Sequence, residues 1–158
     1  MASEPLETAP LIVQEAMRRA LAGDPVGGGM LLVPLIEDSR RECYALCGML
    51  ATTALIGIEP PPENHGVVLV VEDTATGMPG HPEDLPPDAQ FAAQFVTAWA
   101  DKDQDAALAL FEALAVDADT EAGTCRVVDG VLSLYGMAIA SVRALVEERR
   151  DNPNHRKD

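Results

Sequence analysis

Two stretches of this chain, from Cys43 to Ile58 and from Cys125 to Val146, are apolar around nearly the whole circumference of a helix. A helix of that kind has no face to give to water, so each has to sit inside other secondary structure. The requirement points to a mainly α fold, a compact six-helix bundle with these two helices as a central pair. Composition agrees, because 47% of the 158 residues are hydrophobic while only 4% are aromatic and 24 are alanine. Alanine-rich apolar surface packs between helices more readily than on a pleated sheet. The length suits one domain over 1–158 with a core that needs neither disulfide nor metal.

The first apolar stretch is shorter than the roughly 20 residues a bilayer span requires. The N-terminus MASEPLETAP has neither the basic flank nor the apolar core of a signal peptide. Three cysteines, an odd number, make no disulfide framework. A cytoplasmic protein with no membrane contact is expected.

Charge is distributed unevenly. Residues 1–60 hold 8 acids and 4 bases, 61–121 hold 13 and 1, and 122–158 hold 5 and 6, which makes the net −15. The middle third alone carries −12. Such a field repels nucleic-acid phosphate, so direct nucleic-acid binding is not expected.

Along the chain, Thr8 is a cap for a first helix ending near Gly23. Asp24-Pro25 starts a second helix, with Asp as cap and Pro in the first turn. Gly27-Gly28-Gly29 follows, and each glycine costs about 1 kcal/mol in a helix interior. A phosphate loop would need a lysine and a hydroxyl after its glycines, yet Met30-Leu31-Leu32 comes next. The triplet therefore reads as a flexible or close-packed start to the helix.

Ser39 to Glu42 is a capping box ahead of the helix at 39–57, which Pro60-Pro61-Pro62 should stop. Asp88 is expected to cap a helix to Ala100, and Asp103 another in which Ala106, Ala107, Leu110, Phe111 and Leu114 face inward. Thr120-Glu121 begins the last and longest helix, with a frayed tail over 150–158.

Between the helical halves lies an acidic, proline-rich insert at 59–87. Its run from Gly66 to Glu72 is β-branched and bounded by turn residues, which predicts a short strand or hairpin at 66–72. A lone strand needs a partner, so Val67, Leu69, Val71, Glu72 and Asp73 are candidate interaction residues, in a dimer seam or in a hairpin over the helices. His65 and His81 are the weak metal-ligand candidates, for want of a defined ligand spacing. Cys43 and Cys47, four apart, read as buried thiols.

Sliding the first half by 79 residues places Asp24, Leu31, Leu35 and Asp38 on Asp103, Leu110, Leu114 and Asp117. Three further residues of gap place Cys43, Gly48 and Leu50 on Cys125, Gly130 and Leu132. Each half then reads as helix, short capped helix, long buried helix: pseudo-repeats over about 8–58 and 88–149. Chance matches in an Ala- and Leu-rich chain are the competing account. On the duplicated reading, Gly48 and Gly130 are where the central helices cross closely.

No nucleophile–base set, cofactor fingerprint or metal spacing is present in the sequence. The reading is a noncatalytic helical protein–protein interaction protein, an adaptor or regulator, with homo-oligomer formation expected and no cofactor. An acidic mimic that occupies a basic partner's nucleic-acid site is the first alternative. A small-ligand or metal-binding protein using the insert is the second, as is an enzyme there.

Overall fold

The computed structural model describes residues 4–59 and 80–152. These form six α-helices: α1 (Glu4–Leu21), α2 (Pro25–Asp38), α3 (Arg40–Ala54), α4 (Pro87–Ala100), α5 (Gln104–Leu114) and α6 (Glu121–Asp151). One 3-10 turn, Pro82–Asp84, precedes α4. No strand occurs among the described residues, and the strand expected at 66–72 lies outside them. The helices fall in two compact units, 1–58 with 135–158 and 59–134. α6 thus gives its second half to the first unit and its first half to the second.

The two helical hairpins turn in the same way. Past the end of α1, Gly23 has φ +98°. Its N–H donates to the Ala20 carbonyl and the Asp24 N–H to the Arg19 carbonyl, the pair of bonds that closes a Schellman motif. The Asp24 carboxylate then accepts the Gly27 N–H at 2.9 Å and starts α2. Past α4, Lys102 has φ +58°, its N–H donates to the Trp99 carbonyl, and the Asp103 N–H donates to that of Ala98. Asp103 accepts the Ala106 N–H at 3.0 Å and starts α5. The corresponding residues of the two turns are 79 apart.

Burial follows the same offset. Val13 and Ala92, Ala16 and Phe95, Met17 and Val96, Leu32 and Phe111, and Leu35 and Leu114 are buried at both members of each pair. The third helices match at a different register. Cys43 is buried while Cys125 is exposed, so the expected pairing of those two does not place like on like. An offset of 84 does: Cys43 with Val127, Cys47 with Val131, Leu50 with Leu134 and Ala54 with Ala138 are all buried. α6 carries an extra turn ahead of its buried stripe.

Within the first unit, the Tyr135 hydroxyl lies 3.1 Å from both the Ala16 and Pro25 carbonyls and donates between them. It ties α6 to the body of α1 and the start of α2. A Cβ on Gly28 would run into this hydroxyl and the Ala16 carbonyl. The glycine triplet therefore lies inside α2, with Gly28 and Gly29 buried, because the helices approach too closely there for a side chain. Further along α6, Ser141 donates to the Ala54 carbonyl at 2.6 Å and Arg143 to that of Ala20 at 3.0 Å. Both acceptors belong to the last turns of α3 and α1, where carbonyls otherwise lack helical donors.

Within the second unit, Phe91 packs tilted against Phe95 at 5.5 Å between ring centroids, and Phe95 stacks on Trp99 at 5.7 Å. A Cβ on Gly130 would press on Leu114 and Phe91, so this glycine lets α6 close on α4 and α5.

Several element ends differ from the sequence reading. α1 begins at Glu4, ahead of Thr8, and holds Pro10 in its interior. α3 ends at Ala54, short of the prolines. Thr52 and Thr53 turn their hydroxyls onto the Gly48 and Met49 carbonyls in its last turn, and Gly57 follows at φ +82°. Asp88 does not cap α4, which starts from Pro86-Pro87 with no side-chain cap. Pro presets the first turn, and the Asp88 carboxylate accepts the Ser133 hydroxyl at 2.6 Å instead. α6 runs on to Asp151, inside the segment expected to fray.

Lys102 occupies a left-handed position that its twin fills with glycine. Lys102→Gly is expected to raise stability by about 0.5–1 kcal/mol in urea denaturation, since the strain relieved exceeds the added chain entropy. Gly28→Ala should cost roughly 2–3 kcal/mol, because backbone carbonyl cannot move aside as a side chain would.

Candidate functional site

Of the residues singled out in the sequence, His65, Val67, Leu69, Val71, Glu72 and Asp73 lie outside the described residues. His81 is exposed just ahead of the 3-10 turn, where its carbonyl accepts the Asp84 N–H. No three His, Cys, Asp or Glu side chains stand close enough to hold a metal among the described residues. Gly48 is buried in α3 of the first unit, and Gly130 belongs to the second.

Cys43 and Cys47 are both buried free thiols. The hydrogen bond between them, reinforced by burial, pushes the Cys47 thiol well above its ordinary range. A protonated, solvent-excluded sulfur is a poor nucleophile and a poor metal ligand.

The outward face of α2 is the exception to ordinary burial. No charged residue occurs between Asp24 and Glu37, so the helix is apolar on every side. Leu32, Leu35 and Ile36 point into the unit, but Val26 is 76% and Met30 64% exposed, with Pro34 exposed one turn further on. The 26, 30, 34 spacing puts these three on one stripe. Helices apolar all round are ordinarily covered, and among the described residues nothing covers this face.

Arg18 lies in the last turn of α1, the helix that precedes α2 in the hairpin. Its guanidinium forks onto Glu15, Nε to Oε2 at 2.7 Å and Nη2 to Oε1 at 2.8 Å. Arg19 Nε reaches Glu15 Oε1 at 3.1 Å. Hydrogen bonds from Arg18 and then Arg19 hold the Glu15 carboxyl down to about 2, against an ordinary 4.5. Arg18 spends two of its five N–H donors on Glu15, and its side chain is 68% exposed.

The α4–α5 hairpin carries the opposite relief. An open depression of about 570 Å³ lies between its helices, lined by Ala98, Ala106, Ala109, Leu110 and Ala113 together with the polar Gln94, Thr97, Asp101 and Asp103. Ala106 and Leu110, expected to face inward, are half-buried along it. One Asp103 oxygen accepts the Ala106 N–H, while Asp105 is exposed nearby in the first turn of α5.

The α2 face carries the projecting side chains of Val26 and Met30, and the α4–α5 hairpin an open depression lined largely by alanines. Sequence reasoning passed over both. The signal was present in the uncharged run 25–36 and in the alanines of α5, but neither tells which side faces water.

α6 is the one helix among the described residues long and apolar enough to cross a bilayer. Val127, Val131, Leu134, Tyr135, Ala138 and Ile139 are buried, while Val128, Leu132, Val142 and Leu145 are half-buried and Val146 is exposed. Comparison with protein families, with curated proteins and with solved structures gives no match to this chain.

The Glu15 cluster has a defined acid response. Its folded value lies below the unfolded one, so any stability it contributes is complete above about pH 4.5 and lost as pH falls toward 2. The pair is solvent-screened, so the effect on unfolding should be small. An NMR titration should place the Glu15 carboxyl midpoint near 2, and Arg18→Ala should return it toward 4.5.

Proposed function

We propose that the protein is a noncatalytic helical interaction protein of the cytoplasm, an adaptor or regulator that works as a homo-oligomer through the outward face of α2. The observation that carries this reading is the uncovered stripe Val26, Met30, Pro34 on a helix with no charged residue from 25 to 36. A patch that leaves large apolar side chains in water gains free energy when a partner covers it.

Charge favours a second copy as that partner. No charged residue lies between Asp24 and Glu37, so two copies meeting along the stripe bring no like charges together on it, although the whole hairpin Glu4–Asp38 holds six acids against two bases. The acidic-mimic alternative draws less support, because Asp88, Asp103 and Asp117 are engaged with Ser133, the α5 N-terminus and Arg126. A mimic needs its carboxylates free for the partner.

An internal duplication underlies the two hairpins on this proposal. Its support is the pair of Schellman turns with aspartate caps 79 residues apart and the matching burial at that offset. For a ligand-binding function at the insert, the described residues supply His81, Glu83 and Asp84, all exposed.

Light scattering coupled to size exclusion tests the reading. The native chain should elute at a mass of two or more 16.8 kDa chains. Met30→Glu, at an exposed helical position, should weaken association at least roughly tenfold while leaving the far-UV circular dichroism unchanged. A native chain that stays monomeric at every concentration would sink the proposal.

A further inference from the structure

We propose that α6 carries a flexible joint at Gly136, in the turn where the helix leaves one compact unit and enters the other. The boundary between the units falls between Leu134 and Tyr135, inside the α-helix Glu121–Asp151. The polar anchors of α6 change over at the same place. Ser133 is tied to Asp88 of the second unit at 2.6 Å, and Tyr135, two residues on, to the Ala16 and Pro25 carbonyls of the first at 3.1 Å. Each half of the helix is thus fastened within its own unit.

The joint rests on a glycine that packing does not require. In a helix interior glycine lowers the helical population about fivefold against alanine, so one kept there ordinarily has a steric reason. Three others have it. A Cβ on Gly28 would run into the Tyr135 hydroxyl and the Ala16 carbonyl, one on Gly123 into the Asp117 carbonyl, and one on Gly130 into Leu114 and Phe91. At Gly136 a Cβ would meet no atom within 4 Å, the residue is exposed, and its φ is not positive. Neither crowding nor a left-handed turn calls for glycine at this position. Its effect there is to weaken the turn, because glycine loses the most backbone freedom on entering a helix and leaves the backbone open to water.

α6 is helical without interruption from Glu121 to Asp151, so the joint is a site of transient opening and not a standing kink. Opening there separates two halves that are each held by buried residues, Val127 and Val131 on one side and Ala138 and Ile139 on the other. A disturbance of one half stops at the joint and leaves the other half folded.

Amide hydrogen exchange of the full chain, followed by NMR with and without low urea, tests this. The N–H groups of residues 136–140 bond to carbonyls four residues back, across the joint, and should be at least about fivefold less protected than those of 128–131 and 142–145. Local opening exposes little surface, so their exchange should also respond weakly to urea below the unfolding transition. Gly136→Ala, which the open space admits, should raise protection at 136–140 about fivefold.

If the amides of 136–140 are as protected as their neighbours and share their urea slope, α6 opens only with the whole molecule and the proposal fails. If low protection survives Gly136→Ala unchanged, the glycine is not its cause, and the joint assigned to it is wrong.

Discussion

A helix that ends in a tight reversal leaves carbonyls unpaired behind it and N–H groups unpaired ahead, and both sets have to be satisfied within about three residues. The chain meets that constraint twice with the same device. A left-handed residue closes the outgoing helix, and the aspartate that follows it caps the incoming one. Because each aspartate serves both as the last residue of one motif and the first of the next, the hairpin angle has little freedom. Everything on the outward faces of the α1–α2 and α4–α5 hairpins depends on this, including which side chains stand side by side.

On top of these hairpins, small differences in side-chain volume decide surface relief. Gly28 lets α2 close on α1 and on the Tyr135 hydroxyl, and the buried stripe Leu32, Leu35, Ile36 faces inward as a result. The rest of an entirely apolar helix is then left outward. In the other hairpin the aromatic ladder Phe91, Phe95, Trp99 fills the interior, so the outer positions can remain alanine and the space between helices stays open. The proposed self-association rests on the exposed apolar stripe Val26, Met30 and Pro34 of α2.

α6 joins these devices along one helix. In its first half Gly130 admits Phe91 and Leu114, and Ser133 answers Asp88; in its second half Tyr135, Ser141 and Arg143 serve backbone carbonyls of α1, α2 and α3. Each polar side chain within the apolar stripe thus has an acceptor: Ser133 the Asp88 carboxylate, and Tyr135, Ser141 and Arg143 backbone carbonyls.

Much of the helical plan was legible from local chemistry. Asp24, Ser39, Asp103 and Thr120 cap the helices the sequence assigns to them, because a cap needs only its own side chain and the next three residues. The mainly α class follows equally from apolar stretches too wide to be one face of anything. Legibility ended where a residue's role depends on something distant in the chain. Asp88 looks like a cap and instead meets Ser133, 45 residues away, and the glycine triplet looks loose until Tyr135 is brought against it. On the duplicated reading, Cys43 with Cys125 pairs a buried residue with an exposed one, whereas an offset of 84 pairs buried with buried. The sequence by itself determined where helices start and that α2 carries no charge. Only the tertiary structure decided which side of that uncharged helix is left in water, because exposure is set by what packs opposite, and no local pattern encodes its absence.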